Sequence, residues 1–99
     1  MIIKRPGSEP GTVLVTFRMP ASIWAETIHL VGDFNGWNRE ADRLTRSRDN
    51  DSWEITLELE AGKTYQFRYL IDGVNWQNDW NADRYVPNPF GGDNSVLEA

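Results

Sequence analysis

SWEITLELEAGKTYQFRYLIDG, residues 52–73, has the clearest alternation of apolar and polar residues in the chain. The odd-numbered residues from 53 to 59 are apolar and the residues between them are polar, which predicts a strand with one buried face. The odd-numbered residues from 65 to 71 are again aromatic or apolar. Residues 61–63 (AGK) predict a turn between the two strands, and Asp72-Gly73 is a strong hairpin signal. The stretch therefore predicts two long antiparallel strands, each with one face in a core.

The same alternation extends outward along the chain. Residues 12–19 (TVLVTFRM) place apolar side chains on one face, and residues 27–32 (TIHLVG) and 95–97 predict shorter strands. No window of the sequence has a sustained helical period. Many short strands separated by turns are typical of two packed sheets. The sequence therefore predicts an all-β protein that folds as an antiparallel β-sandwich.

Prolines and glycines mark the N-terminal side of this predicted domain. Residues 1–11 contain two of each, and both residue types interrupt regular structure. We therefore expect a flexible N-terminal arm over residues 1–11 and one sandwich domain over residues 12–99. A chain of 99 residues is long enough to bury one core of its own.

Composition and charge argue against several classes of function. The chain has no cysteine, which excludes disulfides, thiolate metal sites and cysteine nucleophiles. Its net charge of −5 is opposite to the basic stripe that nucleic-acid binding requires. No apolar run approaches the ~18 residues of a membrane-spanning helix, and the N-terminus lacks the apolar segment of a signal peptide. We expect a monomeric cytoplasmic protein that needs no cofactor and binds neither nucleic acid nor membranes.

The acidic residues indicate neither hydrolysis nor metal binding. A glycosidase needs two carboxylates about 5–9.5 Å apart in a cleft, whereas aspartates in a turn-rich β protein commonly serve turn geometry. The aspartates in question are Asp33, Asp72, Asp79, Asp83 and Asp93. The single histidine, His29, has no matched serine nucleophile. Asp79, Asn81 and Asp83 are spaced like the start of a calcium loop, but Arg84 stands where that loop requires glycine. We therefore expect neither an enzyme nor a metal site.

The tryptophans divide into a core residue and candidate surface residues. Trp53 shares the apolar face of its predicted strand, so we expect it in the core. Trp76 and Trp80 follow the Asp72-Gly73 turn in a polar segment with almost no aliphatic residues, so at least one of them should be exposed. Trp37 ends the polar turn GDFNGW, and on spacing alone it either caps the sandwich edge or lies free on the surface.

Exposed aromatic rings with polar neighbours suit sugars. The C–H face of a glucopyranose ring packs on an indole, while its hydroxyl groups need donors and acceptors at the edge. The polar groups that the sequence offers for this role are Arg68, Gln77, Asn78, Asn94 and the backbone of Gly91-Gly92.

Four motifs in this order resemble carbohydrate-binding module family 48. They are VGDFNGW (31–37), YQFRYLIDG (65–73), a following tryptophan (76) and FGGDNS (90–95), and the resemblance runs from about residue 13 to residue 97. The family includes the N-terminal early set domains of isoamylases, pullulanases and glycogen-branching enzymes, and the glycogen-binding domain of the AMP-activated protein kinase β subunit. The resemblance implies an immunoglobulin-like β-sandwich.

The resemblance also implies a binding site. By position, Trp37 and Trp76 match the two tryptophans that pack on a glucan in glycogen-binding members. Arg68 and Asn94 match residues that form hydrogen bonds with sugar hydroxyl groups, and Phe90 matches an aliphatic residue that wedges against the sugar. The implied function is non-catalytic binding of α-1,4-glucan, such as glycogen, starch or a maltooligosaccharide.

A second function remains open from the sequence. Many family members lie beside a catalytic barrel and bind little glucan, so the chain can instead be a structural or docking domain. Its partner would then be a branching or debranching enzyme of the glycoside hydrolase family 13 type. This function needs a broad apolar patch, for which Trp24, Trp80 and Tyr85 are the candidates.

Overall fold

The computed structural model describes residues 1–49, 51–89 and 91–99. The predicted sugar contact Phe90 therefore lies outside the described residues. The described chain forms ten strands and one three-residue 3-10 helix, Asp33–Asn35. The strands are β1 (Ile2–Pro6), β2 (Thr12–Pro20), β3 (Ile28–Gly32), β4 (Asp42–Arg43), β5 (Thr45–Arg46), β6 (Ser52–Glu60), β7 (Thr64–Ile71), β8 (Asn75–Gln77), β9 (Arg84–Pro87) and β10 (Asp93–Glu98).

The first sheet has the strand order β1-β2-β6-β5. Strands β2 and β6 pair along their whole length, from Thr12 opposite Glu60 to Pro20 opposite Ser52. On the outer face, the Arg18 Nε donates to Glu54 at 3.0 Å. The inner face supplies buried side chains to the core, including the predicted core residue Trp53. The odd-numbered apolar residues that predict β2 and β6 therefore face the core, and the residues between them lie on the outer face of the sheet.

The second sheet has the order β4-β3-β7-β10-β9, and β8 pairs with β7. Phe67 and Tyr69 of β7 are fully buried between the sheets. The ring of Phe67 meets that of Phe17 from the first sheet edge-on, with the centroids 5.2 Å apart. All the strand pairs described are antiparallel. The predicted fold class, an all-β immunoglobulin-like sandwich of the early set type, is confirmed.

The N-terminal segment differs from the flexible arm expected for residues 1–11. Its first half is the edge strand β1, which pairs with β2 from Ile2 opposite Phe17 to Pro6 opposite Val13. Ile2 packs against the core, and Lys4 Nζ forms an ion pair of 2.8 Å with Asp83. Proline is tolerated at the end of an edge strand, where its missing N–H breaks no central ladder. Pro6 therefore ends this strand, and Gly7, Pro10 and Gly11 lie after it and do not prevent it.

The connection from β8 to β9 is fixed by the buried carboxylate of Asp79. This side chain is fully buried and accepts a hydrogen bond of 2.7 Å from the Tyr69 hydroxyl and one of 2.8 Å from the Asn81 amide. Burial, and then the nearby Asp79 carboxylate, raise the pKa of Tyr69 well above its usual value. The described residues include no group of three His, Asp or Glu side chains placed to hold a metal. Among these residues there is also no helix with the length and hydropathy to cross a membrane.

Candidate functional site

A groove of about 630 Å³ lies on the outer face of the second sheet. Its polar floor comes from β7, where Gln66 and Arg68 alternate with the buried Phe67 and Tyr69 and so point away from the core. The described residues that line it are Asp33, Trp37, Arg39, Gln66, Arg68, Trp76, Asn88, Pro89 and Asn94. Four of the five residues expected to bind sugar therefore line one groove.

The turn after β3 directs Trp37 towards this groove. The 3-10 helix is followed by Gly36 and Trp37, both in the left-handed region with φ of 66° and 59°. A positive φ is unfavourable by about 1–3 kcal/mol for a residue other than glycine, and it is found preferentially at functional sites. Phe34 packs on the core, with its ring centroid 5.7 Å from that of Phe17, so Trp37 is left half-buried at the surface.

The Asp33 carboxylate connects this turn to β7. One oxygen accepts a hydrogen bond of 2.9 Å from the Trp37 indole nitrogen, and the other accepts one of 2.7 Å from the backbone N–H of Gln66. The close approach requires glycine at position 32, where a Cβ atom would lie 2.5 Å from the Gln66 carbonyl oxygen and 2.7 Å from the Phe67 Cβ. Asp33 and Gly32 therefore fix where the Trp37 ring lies.

The second indole is placed by the β7–β8 hairpin. Asp72 and Gly73 are the central residues of the turn in which the Val74 amide donates to the Ile71 carbonyl at 3.2 Å, and they have φ of 52° and 74°, positive values that are typical of hairpin turns. The Asp72 carboxylate also accepts hydrogen bonds from the amides of Glu26 and Thr27, at 2.8 and 3.0 Å. Trp76 lies opposite Leu70 in this hairpin and is half-buried.

Two arginines contact the Trp76 ring. The Cζ atom of Arg68 lies 5.7 Å from the ring centroid, and that of Arg39, from the segment after Trp37, lies 5.5 Å from it. Both distances are within the range of cation–π attraction. The Trp76 ring is therefore fixed by its own hairpin, which includes Arg68, and by the guanidinium group of Arg39 from another segment.

Amide side chains form the other edge of the groove. Asn94 is 8% exposed, and its Nδ2 donates to the Gln66 Oε1 at 3.1 Å. The Nδ2 of Asn88 in turn donates to the Asn94 Oδ1 at 3.3 Å. These amides hold one another in place and present polar atoms beside the indoles.

The groove offers flat apolar surface with hydrogen-bonding groups at its edge, and little acid–base chemistry. Asp33 is the one carboxylate among its described lining residues, and its two oxygens already accept hydrogen bonds. A glycosidase needs a pair of carboxyl groups across the scissile bond. The arrangement is suited to holding a polyhydroxylated ligand.

The groove also contains residues that the sequence did not predict, namely Asp33, Arg39, Gln66, Asn88 and Pro89. Gln66 has a usable signal, because it stands two residues before Arg68 and so shares its face of the strand. The others lie in turns and loops, where there is no two-residue alternation from which to predict the side of the sheet that a side chain faces. Two polar candidates, Gln77 and Asn78, lie outside the lining, and the Asn78 Nδ2 instead donates to the Asp93 carbonyl at 2.9 Å.

Comparisons with known proteins agree with the fold. The sequence profile of carbohydrate-binding module 48 (isoamylase N-terminal domain) matches residues 8–90. A 1,4-alpha-glucan branching enzyme GlgB from Butyrivibrio fibrisolvens is 32% identical over 69 residues, which are 66% of this chain and 10% of that enzyme. The chain thus spans about a tenth of the length of this relative. With the profile matching most of its length, the chain belongs to the carbohydrate-binding module 48 family.

Proposed function

We propose that the chain binds α-1,4-glucan without cleaving it, through the groove on its second sheet. The observation that carries the proposal is that Trp37, Arg68, Trp76 and Asn94 line this one groove. Membership of a carbohydrate-binding family and the likeness to a glucan branching enzyme support the same ligand class.

The chemistry of the lining explains how such a ligand would be held. Each indole packs against the C–H face of a glucose ring, and this apolar contact contributes about 1–2 kcal/mol per tryptophan. Arg68 and the amide edge exchange hydrogen bonds with the sugar hydroxyl groups. Because the groove is shallow, much of the sugar remains hydrated. We expect a dissociation constant of about 10 μM to 1 mM, which corresponds to roughly −7 to −4 kcal/mol.

Titration of tryptophan fluorescence with maltoheptaose tests the proposal. Trp37→Ala and Trp76→Ala should each weaken binding about tenfold, the equivalent of about 1.4 kcal/mol. Trp24→Ala is the matched control, because Trp24 is 97% exposed and outside the groove, and it should leave the affinity unchanged. If the folded protein gives no saturable signal up to about 10 mM sugar, well above the expected range, glucan binding is rejected. If it binds but neither groove variant weakens it, the groove is rejected.

The same samples test the absence of catalysis. We expect no release of reducing sugar from glycogen, starch or maltoheptaose above a heat-killed control, because the groove lining contains one carboxylate among its described residues. Release that is lost in Asp33→Asn would contradict this expectation.

One observation favours a second candidate function, a docking domain for a glycogen-metabolising enzyme. Trp24 and Trp80 are 97% and 70% exposed, and tryptophan is enriched in the surfaces through which proteins contact each other. Under this function Trp24→Ala would abolish co-elution with a glycogen branching enzyme, and the groove variants would retain it. Saturable binding of maltoheptaose with loss in both groove variants favours the first function.

A further inference from the structure

Two arginine side chains, Arg39 and Arg68, place positive charge beside Trp76, and a neutral sugar does not require that charge. Within the described part of the chain, the side chains of Arg39 and Arg68 form no ion pair and no hydrogen bond. The Arg68 Nε is buried and has no partner there. The terminal nitrogens of the Arg68 guanidinium group are not among the buried atoms, so they are the donors that an anionic acceptor in the groove could meet.

The groove is locally cationic in a protein that is anionic overall. Its described lining contains two arginines and one carboxylate, whereas the whole chain carries a net charge of −5. The oxygens of that carboxylate, Asp33, accept hydrogen bonds from the Trp37 indole and the Gln66 amide and are directed at those groups. The positive charge at Trp76 is therefore not cancelled by an ion pair within the groove.

Stacking on an indole leaves the edge of a guanidinium group available. The planar fork of arginine matches the oxygens of a phosphate or carboxylate, and hydrogen bonds to such ions are about twice as strong as neutral ones. Arg68 extends from the middle of β7, and Arg39 is exposed on the segment after Trp37. Both are within 6 Å of the centre of the same ring. A sugar bound beside Trp76 would thus have two guanidinium groups within reach.

We propose that this groove prefers a glucan that carries a phosphate monoester to the neutral glucan, with Arg39 and Arg68 as the residues that recognise the phosphate. This inference rests on the proposed function, because it needs the sugar chain to lie on Trp76. It adds a charge-dependent specificity to a site whose other contacts suit neutral hydroxyl groups.

The test compares maltoheptaose with maltoheptaose carrying one 6-phosphate group, by calorimetric titration. At about 20 mM NaCl, where screening is weak, the phosphorylated sugar should bind at least about tenfold more tightly, and at about 500 mM NaCl the preference should fall below about threefold. Inorganic phosphate alone should bind at least about a hundredfold more weakly than the phosphorylated sugar. If phosphate alone binds as tightly, the groove is a general anion site and the proposal is wrong.

The quantity that the variants should change is the ratio of the two affinities. Arg39→Gln should reduce the preference from about tenfold to about twofold, and Arg39→Lys, which keeps the charge without the fork, should be intermediate. Arg5→Gln is the control, since Arg5 lies exposed on β1 in the other sheet, and it should leave the ratio unchanged. An equal affinity for both sugars in the unmodified protein overturns the phosphate preference alone. Failure to bind either sugar overturns the proposed function as well.

Discussion

At the scale of single residues, the shape of the groove depends on side chains whose contacts are to other parts of the protein. Asp33 is the clearest case, because it holds the Trp37 indole and the Gln66 backbone at the same time. Asp33→Ala should weaken maltoheptaose binding about threefold to tenfold, because a freed indole must be ordered when it binds, at about 0.5–1.5 kcal/mol per side chain. Glu40→Ala, an exposed acidic residue of the neighbouring loop, is the control for the loss of a negative charge. Equal affinities for both variants would show that the Asp33 contact does not orient the ring.

Trp53 and Trp24 show how two residues of one type differ by environment. Trp53 is 6% exposed and lies in the core cluster, while Trp24 is 97% exposed. Trp53→Ala should lower the free energy of unfolding by about 3–5 kcal/mol, as truncation of a buried aromatic side chain does. Trp24→Ala should change it by less than about 0.5 kcal/mol. Urea denaturation of both variants checks this, and a loss below about 1 kcal/mol for Trp53→Ala would place that side chain outside the core.

Groove residues were predictable from sequence where they lie on a regular strand or in a turn with a recognisable sequence signal, and not where they lie in irregular segments. The outward direction of Arg68 follows from alternation along β7, and Trp37 and Trp76 follow from turn signals together with the family resemblance. Arg39 has no such signal, because it reaches Trp76 from a segment outside regular strands. Contacts of this kind depend on how a loop lies across a sheet, and the position of the loop cannot be predicted from the residues next to it in the sequence.

At the scale of elements, the long strands were predictable and the edges were not. Strands β6 and β7 have the bounds that their alternating residues indicate, because each packs one face against the core. The short strands β4 and β5 have two residues each, too few for any period to be visible. The edge strand β1 was missed because its backbone pairing with β2 leaves three of its five residues exposed. Its stability comes from a partner that is distant in sequence.

The Asp83 carboxylate, just before β9, contacts Lys4 of β1 and the Glu98 amide of β10, and these contacts make the stability of the fold depend on pH. Burial raises the pKa of Asp83, but hydrogen bonds from the Glu98 amide and from Lys4 outweigh it and hold the pKa below its usual value. Since the folded-state pKa is the lower one, the stabilisation is present above the unfolded pKa of about 3.9 and is lost as pH falls through the folded value.

Asp83→Asn should therefore make the protein less stable at pH values near neutrality, by about 0.5–1 kcal/mol because the ion pair is partly exposed and screened. Below about pH 3 the difference from the unmodified protein should shrink. Thermal melts over this pH range measure it, with Asp93→Asn, an exposed aspartate beside the same strands, as the control. A difference that stays constant with pH would show that the Asp83 charge does not contribute.

At the scale of the whole molecule, the core and the groove use opposite faces of one sheet. The inner face of β7 buries Phe67 and Tyr69, and its outer face presents Gln66 and Arg68. The fold can therefore be specified by one set of residues while the other set is free to vary. The fold class was predictable from sequence for this reason, whereas the residues that line the groove are not needed for the core and follow from no core pattern.

This separation leads to a prediction about ligand-linked stability. A sugar that binds only the folded state stabilises it by mass action, by about 1.4 kcal/mol at a free concentration about ten times the dissociation constant. For a domain of this size, that corresponds to a rise in Tm of about 6–11 °C. Without sugar, Trp76→Ala should have a Tm close to that of the unmodified protein, because Trp76 lies outside the core cluster. At the same maltoheptaose concentration, the Tm of this variant should rise by only a small part of that amount.

Sucrose at the same mass concentration is the control, because excluded sugars raise the Tm of any protein without binding it. The specific effect is the rise with maltoheptaose minus the rise with sucrose. This difference should saturate with concentration in the unmodified protein, as mass action at one site requires. If maltoheptaose and sucrose raise the Tm equally, the groove holds no glucan at these concentrations, and the exposed Trp24 and Trp80 become the surface to test for a protein partner.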